Sequence, residues 1–155
     1  MTANGHHVVR LEFTSRIEML DFVQVVTDHV SRVARLDDEA NHWVSVAIRE
    51  CVINAIKHGN QNDITKRVFV EFETDENAAV PELTIRVRDQ GLGFDPELLA
   101  NPLDPENLLK SSGRGIFLIR SFMDDVQLRR LPDGMEISMT KRVQPDAPAD
   151  DPIQA

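Results

Sequence analysis

Strand-like alternation of apolar side chains recurs in five short runs, and their order along the chain restricts the fold more than any other feature. Residues 8–13 alternate through Val9, Leu11 and Phe13, residues 67–74 through Val68, Val70 and Phe72, and residues 82–89 through Leu83, Ile85 and Val87. Residues 126–131 and 135–140 flank Pro132, Asp133 and Gly134, the signature of a hairpin. Helical periodicity falls unevenly between these runs: two helices separate the first from the second, and one separates the third from the fourth. A doubly wound parallel sheet needs a crossover helix after each strand. The order here predicts instead an α+β fold, a two-layer sandwich whose mainly antiparallel sheet is covered on one face by helices.

Ser15 is placed to cap a helix of about twenty residues, with Ile17, Leu20, Val23 and Val30 inward. A second helix is expected to begin near Asp37 and Asp38. Its stripe of Ala40, Trp43, Val44, Ala47, Ile48, Cys51 and Ala55 follows helical spacing, and Gly59 is expected as its C′ residue. Trp43 and Phe22 are expected in the core. A third helix is expected over residues 115–125. Residues 91–112 carry glycines, prolines and few periodic apolar side chains, so they read as a long loop with one helical turn at 96–99. Residues 96–112 have little apolar content to anchor them and are expected to act as a lid. The folded unit is expected to span 8–141, followed by a disordered, acidic, Pro-rich tail over 142–155.

Charge and cysteine usage exclude some functions. A formal net charge of -9 would repel phosphate backbones, which argues against nucleic acid as a partner. No apolar run is long enough to cross a bilayer, and residues 1–10 lack the apolar stretch of a secretory signal. The single cysteine, Cys51, forbids an internal disulfide and fits a reducing compartment, so a cytoplasmic location is expected. Cys51 sits on the apolar stripe, where it reads as a small core residue. The five histidines are scattered without metal-ligand spacing.

Three polar constellations remain. On the second helix Glu50 and Asn54 are one turn apart at the edge of the apolar stripe, with Lys57 on the same side. They can be an ordinary boundary pair, or a carboxylate able to orient a hydroxyl beside a carboxamide oxygen suited to Mg²⁺. The run Asp89-Gln90-Gly91-Leu92-Gly93-Phe94 follows a strand. It can be a plain turn, or an acidic acceptor for the exocyclic amine of adenine beside glycines that permit close approach. The run Ser111-Ser112-Gly113-Arg114-Gly115-Ile116-Phe117-Leu118 leads glycines into a helix. Free N–H groups there, with Arg114 and Lys110, suit a polyphosphate. No P-loop and no dinucleotide-binding fingerprint is present.

Taken together, Glu-x-x-x-Asn-Ala-x-x-His-Gly, Asp-x-Gly-x-Gly-Phe and Gly-x-Gly-x-x-Leu resemble the N, G1 and G2 boxes of the GHKL ATPase/kinase superfamily. The short frame, and Phe122-Met123-Asp124-Asp125-Val126 after the third box, look most like the anti-sigma-factor serine/threonine kinases. The resemblance implies Glu50 as catalytic carboxylate, Asn54 as Mg²⁺ ligand and Asp89 as adenine reader, with Gly91, Gly93 and Phe94 shaping the pocket. It implies phosphate contacts from Gly113, Gly115 and Arg114, with Lys57, Lys110, Ser112, Ile116 and Phe117 around the nucleotide. ATP and Mg²⁺ would be the cofactors. An anti-anti-sigma protein would be the phosphate acceptor, a sigma factor the second partner, and a homodimer through residues 8–13 the assembly. Many relatives carry Gly-Thr-Thr in the last hairpin, whereas this chain has Gly134-Met135-Glu136; Ser138 or Thr140 is the candidate to replace the missing hydroxyl. A nucleotide-dependent binding module without phosphotransfer is the alternative, although it would have no need of Glu50. The ATPase half of a histidine kinase fits less well, since no phosphoacceptor helical hairpin precedes the domain.

Overall fold

In the computed structural model, which describes residues 5–75, 77–91 and 111–143, the five alternating runs join one sheet. Strand β1 (His6–Thr14) is followed by helices α1 (Met19–Val33) and α2 (Asp38–Asn54), then β2 (Arg67–Asp75) and β3 (Glu82–Arg88). Helix α3 (Ser111–Phe122) and strands β4 (Asp125–Leu131) and β5 (Gly134–Arg142) complete the chain. The strand order is β1-β2-β3-β5-β4, and all four pairings are antiparallel. The crossover through α3 carries the chain past β5 to the outer strand β4, so β1 and β4 are the two edges.

The period-two pattern decides which face the helices cover. Val68, Val70 and Phe72 of β2 and Leu83, Ile85 and Val87 of β3 are buried. They meet Val23 and Val30 of α1, Val44, Ala47, Ile48, Cys51 and Val52 of α2, and Ile119 of α3 in one core. The opposite face is solvent-exposed and bound by ion pairs: Arg10 with Glu71, and Arg86 with both Glu71 and Glu73. A shallow hollow of about 340 Å³ lies on that face, lined by Arg10, Glu71 and Arg86, with Arg88 stacked over Phe69. No helix among the described residues is long and apolar enough to cross a membrane.

Several local expectations change. Ser15 does not cap α1; its hydroxyl donates to the Lys66 carbonyl (2.8 Å), and α1 starts after Glu18 with no side-chain cap. Ile17 therefore precedes the helix and is exposed, as is Phe22, which lies on the outer face of α1. Asp37 does cap α2, accepting from the Ala40 N–H at 2.7 Å. Trp43 is half-buried and stacks on Phe122 with ring centroids 4.1 Å apart. α2 runs into a π turn, Ala55–Gly59, a wider winding often found at functional sites. Gly59 lies inside that turn and is not its left-handed cap; positive φ falls on Gln61 and Asn62. Residues 111–114, expected ahead of the third helix, are already helical, and the rest of the expected lid, with the turn at 96–99, lies outside the described residues, as does the tail from 144.

Candidate functional site

Asp89 occupies the end of β3, where the sheet stops and three glycines close in. It is 7% exposed. Its backbone N–H donates to the Met135 carbonyl (3.0 Å), continuing the ladder with β5 by one residue. Its carboxylate Oδ1 accepts from the backbone N–H groups of Gly91 (3.0 Å) and Met135 (3.2 Å). Those two bonds fix the carboxylate plane and leave Oδ2 without a protein donor among the described residues. Burial pushes the Asp89 carboxyl above the usual carboxylate range, opposed by the Gly91 and Met135 N–H groups and by Lys66. A buried, oriented acceptor of this kind suits an amine hydrogen on a bound base.

The glycines explain why Asp89 can be approached so closely. A Cβ at Gly59 would lie 2.1 Å from Asp89 Oδ2, and one at Gly134 would lie 1.9 Å from the Asp89 carbonyl oxygen. A Cβ at Gly91 would meet the Gly59 carbonyl oxygen at 1.7 Å. The π turn, the residues after β3 and the start of β5 thus pack backbone to backbone around one carboxylate. Gly59 and Gly134, expected as turn residues, also make close backbone approaches to Asp89 that spacing alone does not show.

Beside Asp89 lies a cavity of about 40 Å³ lined by Cys51, Asn54, Ala55, Val87, Ile116, Leu128, Met135 and Ile137. Its walls are apolar apart from Asp89 and Asn54, the make-up expected for a flat heteroaromatic ring held by a few polar atoms. Cys51 contributes a wall: burial pushes its thiol far up, and it donates to Met139 Sδ at 3.3 Å, so it acts as an apolar surface and not a nucleophile. Neither proposed replacement hydroxyl reaches this cavity. Met135 and Ile137 face the helices, so Ser138 and Thr140 alternate onto the open face, where Thr140 bonds Thr84 (3.2 Å).

Glu50 and Asn54, both half-buried, project from the edge of α2 toward α3. A Cβ at Gly115 would lie 2.8 Å from Glu50 Oε1 and 3.2 Å from Asn54 Nδ2, so both side chains converge on the backbone of α3 at that residue. Two oxygen donors one helical turn apart, both reachable by water, fit a hard divalent cation that keeps part of its hydration shell. No group of three or more His, Cys, Asp or Glu side chains placed to hold a metal ion exists among the described residues. The run 111–114, expected to lead into the helix, is itself helical in α3. Gly115 is already inside the helix.

The fold thus brings together Glu50, Asn54, Asp89, Gly91, Gly115 and Ile116. Lys57 lies in the π turn and points to solvent, and Phe117 is 43% exposed on the outer side of α3, away from the cavity. Gly93, Phe94 and Lys110 lie outside the described residues.

Residues 13–141 match the histidine kinase-like ATPase domain family. The chain is 26% identical over 147 residues to the serine-protein kinase RsbW of Listeria innocua, covering 91% of this chain and 90% of that one. It is 31% identical over 142 residues to the anti-sigma F factor of Bacillus subtilis, covering 87% and 92% respectively. Among solved structures, the RsbU and RsbW domains of Rv1364c from Mycobacterium tuberculosis superpose with a TM-score of 0.59 at 14% identity, over 88% of this chain and 32% of that longer chain.

Proposed function

The chain belongs to the histidine kinase-like ATPase domain family, and from that premise we propose that it is an anti-sigma factor with ATP-dependent serine/threonine protein kinase activity. It phosphorylates an anti-anti-sigma protein and sequesters a sigma factor, so the two partners compete for one protein. The observation that carries the reading is the convergence of an oriented buried carboxylate, an apolar slot and the Glu50–Asn54 pair within one end of the sandwich. The named relatives are kinases and anti-sigma factors aligned over nearly their whole length, which supports the same reading.

Asp89 Oδ2 accepts the exocyclic amine of adenine, and the ring lies against Ile116, Met135 and Ile137, where the slot of about 40 Å³ widens to admit it. Backbone N–H groups of the glycine-containing run 113–115 contact the phosphates, and Arg114 adds a cationic contact. Asn54 would hold Mg²⁺, which when bound neutralises charge developing on the phosphates. Glu50 takes the proton of the incoming serine or threonine hydroxyl as its oxygen bonds the γ-phosphorus. The bond to the β–γ bridging oxygen breaks, and ADP leaves with that electron pair. Catalysis here is chiefly positioning.

The protein also forms a homodimer through β1. This strand is a sheet edge, and Val8 and Val9 stay more than a third exposed on it. Recovery of bound proteins from the native cell, with and without ATP, tests the partner reading. A sigma factor and a small antagonist are expected; recovery of neither in either condition refutes it.

A further inference from the structure

We propose that Asn60, buried directly after His58-Gly59 at the end of the first sequence motif, is the positioning residue that sets Asp89 for base selection; the proposal rests on the reading of Asp89 as adenine acceptor. Asn60 is wholly buried. Its side chain makes three hydrogen bonds to three separated parts of the chain. The amide nitrogen donates to Ser15 Oγ (2.7 Å), just past β1, and to the Arg67 carbonyl (3.0 Å), at the start of β2. Its oxygen accepts from the backbone N–H of Gln90 (2.8 Å), the residue after Asp89. The Gln90 side chain in turn accepts from the Arg67 N–H (2.7 Å), so Gln90 is held through both backbone and side chain.

This arrangement needs an amide. Two of the three partners must receive hydrogens, since a carbonyl only accepts and the Ser15 hydroxyl is committed as donor to Lys66. The third must give one. An aspartate at 60 could serve Gln90 but neither of the others. Asn60 also follows Gly59, whose backbone rests on Asp89 Oδ2 and Gly91. Residues 59 and 60 therefore brace Asp89, Gln90 and Gly91 from one side, while Met135 and Gly134 brace them from the other. A carboxylate that tells an amine from a carbonyl must be fixed to a fraction of an ångström, and Asn60 joins it to the first two strands of the sheet.

The test compares ATP with ITP, which carries a carbonyl where adenine carries the amine, by calorimetric titration of the full chain. Asn60→Ala is expected to lower the ATP-over-ITP preference by about tenfold, the size of one displaced hydrogen bond. Ser15→Ala, which removes only the acceptor behind the amide, is expected to lower it by a smaller factor in the same direction while remaining folded. A purely structural Asn60 would weaken both nucleotides equally, so an unchanged ratio in Asn60→Ala overturns the proposal. If Asn60→Ala does not fold, the Ser15→Ala ratio decides alone: unchanged, it overturns the proposal. Asp89→Asn separates the two levels. If it too leaves the ratio unchanged, the adenine reading fails first and Asn60 has nothing to position.

Discussion

Replacing Gly115 with alanine should make the protein slightly more stable and a poorer kinase. In a helix interior alanine is favoured over glycine by about 1 kcal/mol, enough to raise Tm by roughly 2–4 °C in a chain of this size. The added Cβ would sit 2.8 Å from Glu50 Oε1 and 3.2 Å from Asn54 Nδ2, inside ordinary contact distance for both. Each is the far end of a side chain, so they can yield by a few tenths of an ångström without disturbing the core, and the helix gain survives. The cost falls on geometry, because Glu50 is pushed from the place where it meets the incoming hydroxyl. Misplacement by 1 Å can cost about 10²-fold, so a smaller shift is expected to lower transfer by about tenfold or somewhat more. The assay is single-turnover transfer from labelled ATP, beside thermal denaturation of the same preparation. A wild-type transfer rate with raised Tm would refute the role given to the Glu50–Gly115 contact; lowered Tm would refute the argument that the side chains yield cheaply.

Asn54→Ala should abolish the Mg²⁺-dependent part of ATP binding; equal metal dependence in variant and wild type, measured by calorimetry with and without Mg²⁺, would remove Asn54 from the cation site. Because Asp89 is pushed up by burial, ATP affinity should fall on acidification at a pH above that of an ordinary carboxylate, as Oδ2 gains a proton and stops accepting. Folding favours the protonated form of such a group, so its contribution to stability runs the other way. That contribution is greatest at low pH and declines as pH rises from the unfolded value through the folded one. Asp89→Asn should flatten both trends and relax the choice of ATP over GTP, because an amide donates as well as accepts; titrations and melts across the acid range check both. Light scattering at micromolar concentration should show a dimer that Val9→Lys converts to monomer. A monomeric wild type would refute the dimer, and a dimeric Val9→Lys would move the contact off β1.

The sheet was legible because period-two alternation reports a local fact, namely which side of a strand is covered. α2 was legible for the same reason, with an apolar stripe running through most of its seventeen residues. Ser15 and Gly59 misled because each has a common local use, helix cap and C′ residue. Here each serves a long-range contact instead, with Lys66 and with Asp89. Phe22 shows the limit of composition: a large apolar side chain on an amphipathic helix can sit on the outer face, here 50% exposed. The candidate site residues in the three motifs were legible through their combined order. Gly134 and Asn60 sit at the ends of recognisable runs, but their contacts with the Asp89 segment were not legible, since those depend on strands far apart in sequence meeting there.

The central claim is that this protein moves the γ-phosphate of ATP to a hydroxyl of a partner with Glu50 as base. The most direct measurement follows γ-labelled phosphate from Mg·ATP to the antagonist recovered with the protein, comparing wild type with Glu50→Gln at saturating ATP. The swap keeps size and removes the base. The account predicts label on a serine or threonine of the partner, formed about 10²–10⁴-fold more slowly by the variant at nearly unchanged ATP affinity. Tight ATP binding with no labelled partner, or equal rates for the two proteins, would contradict it.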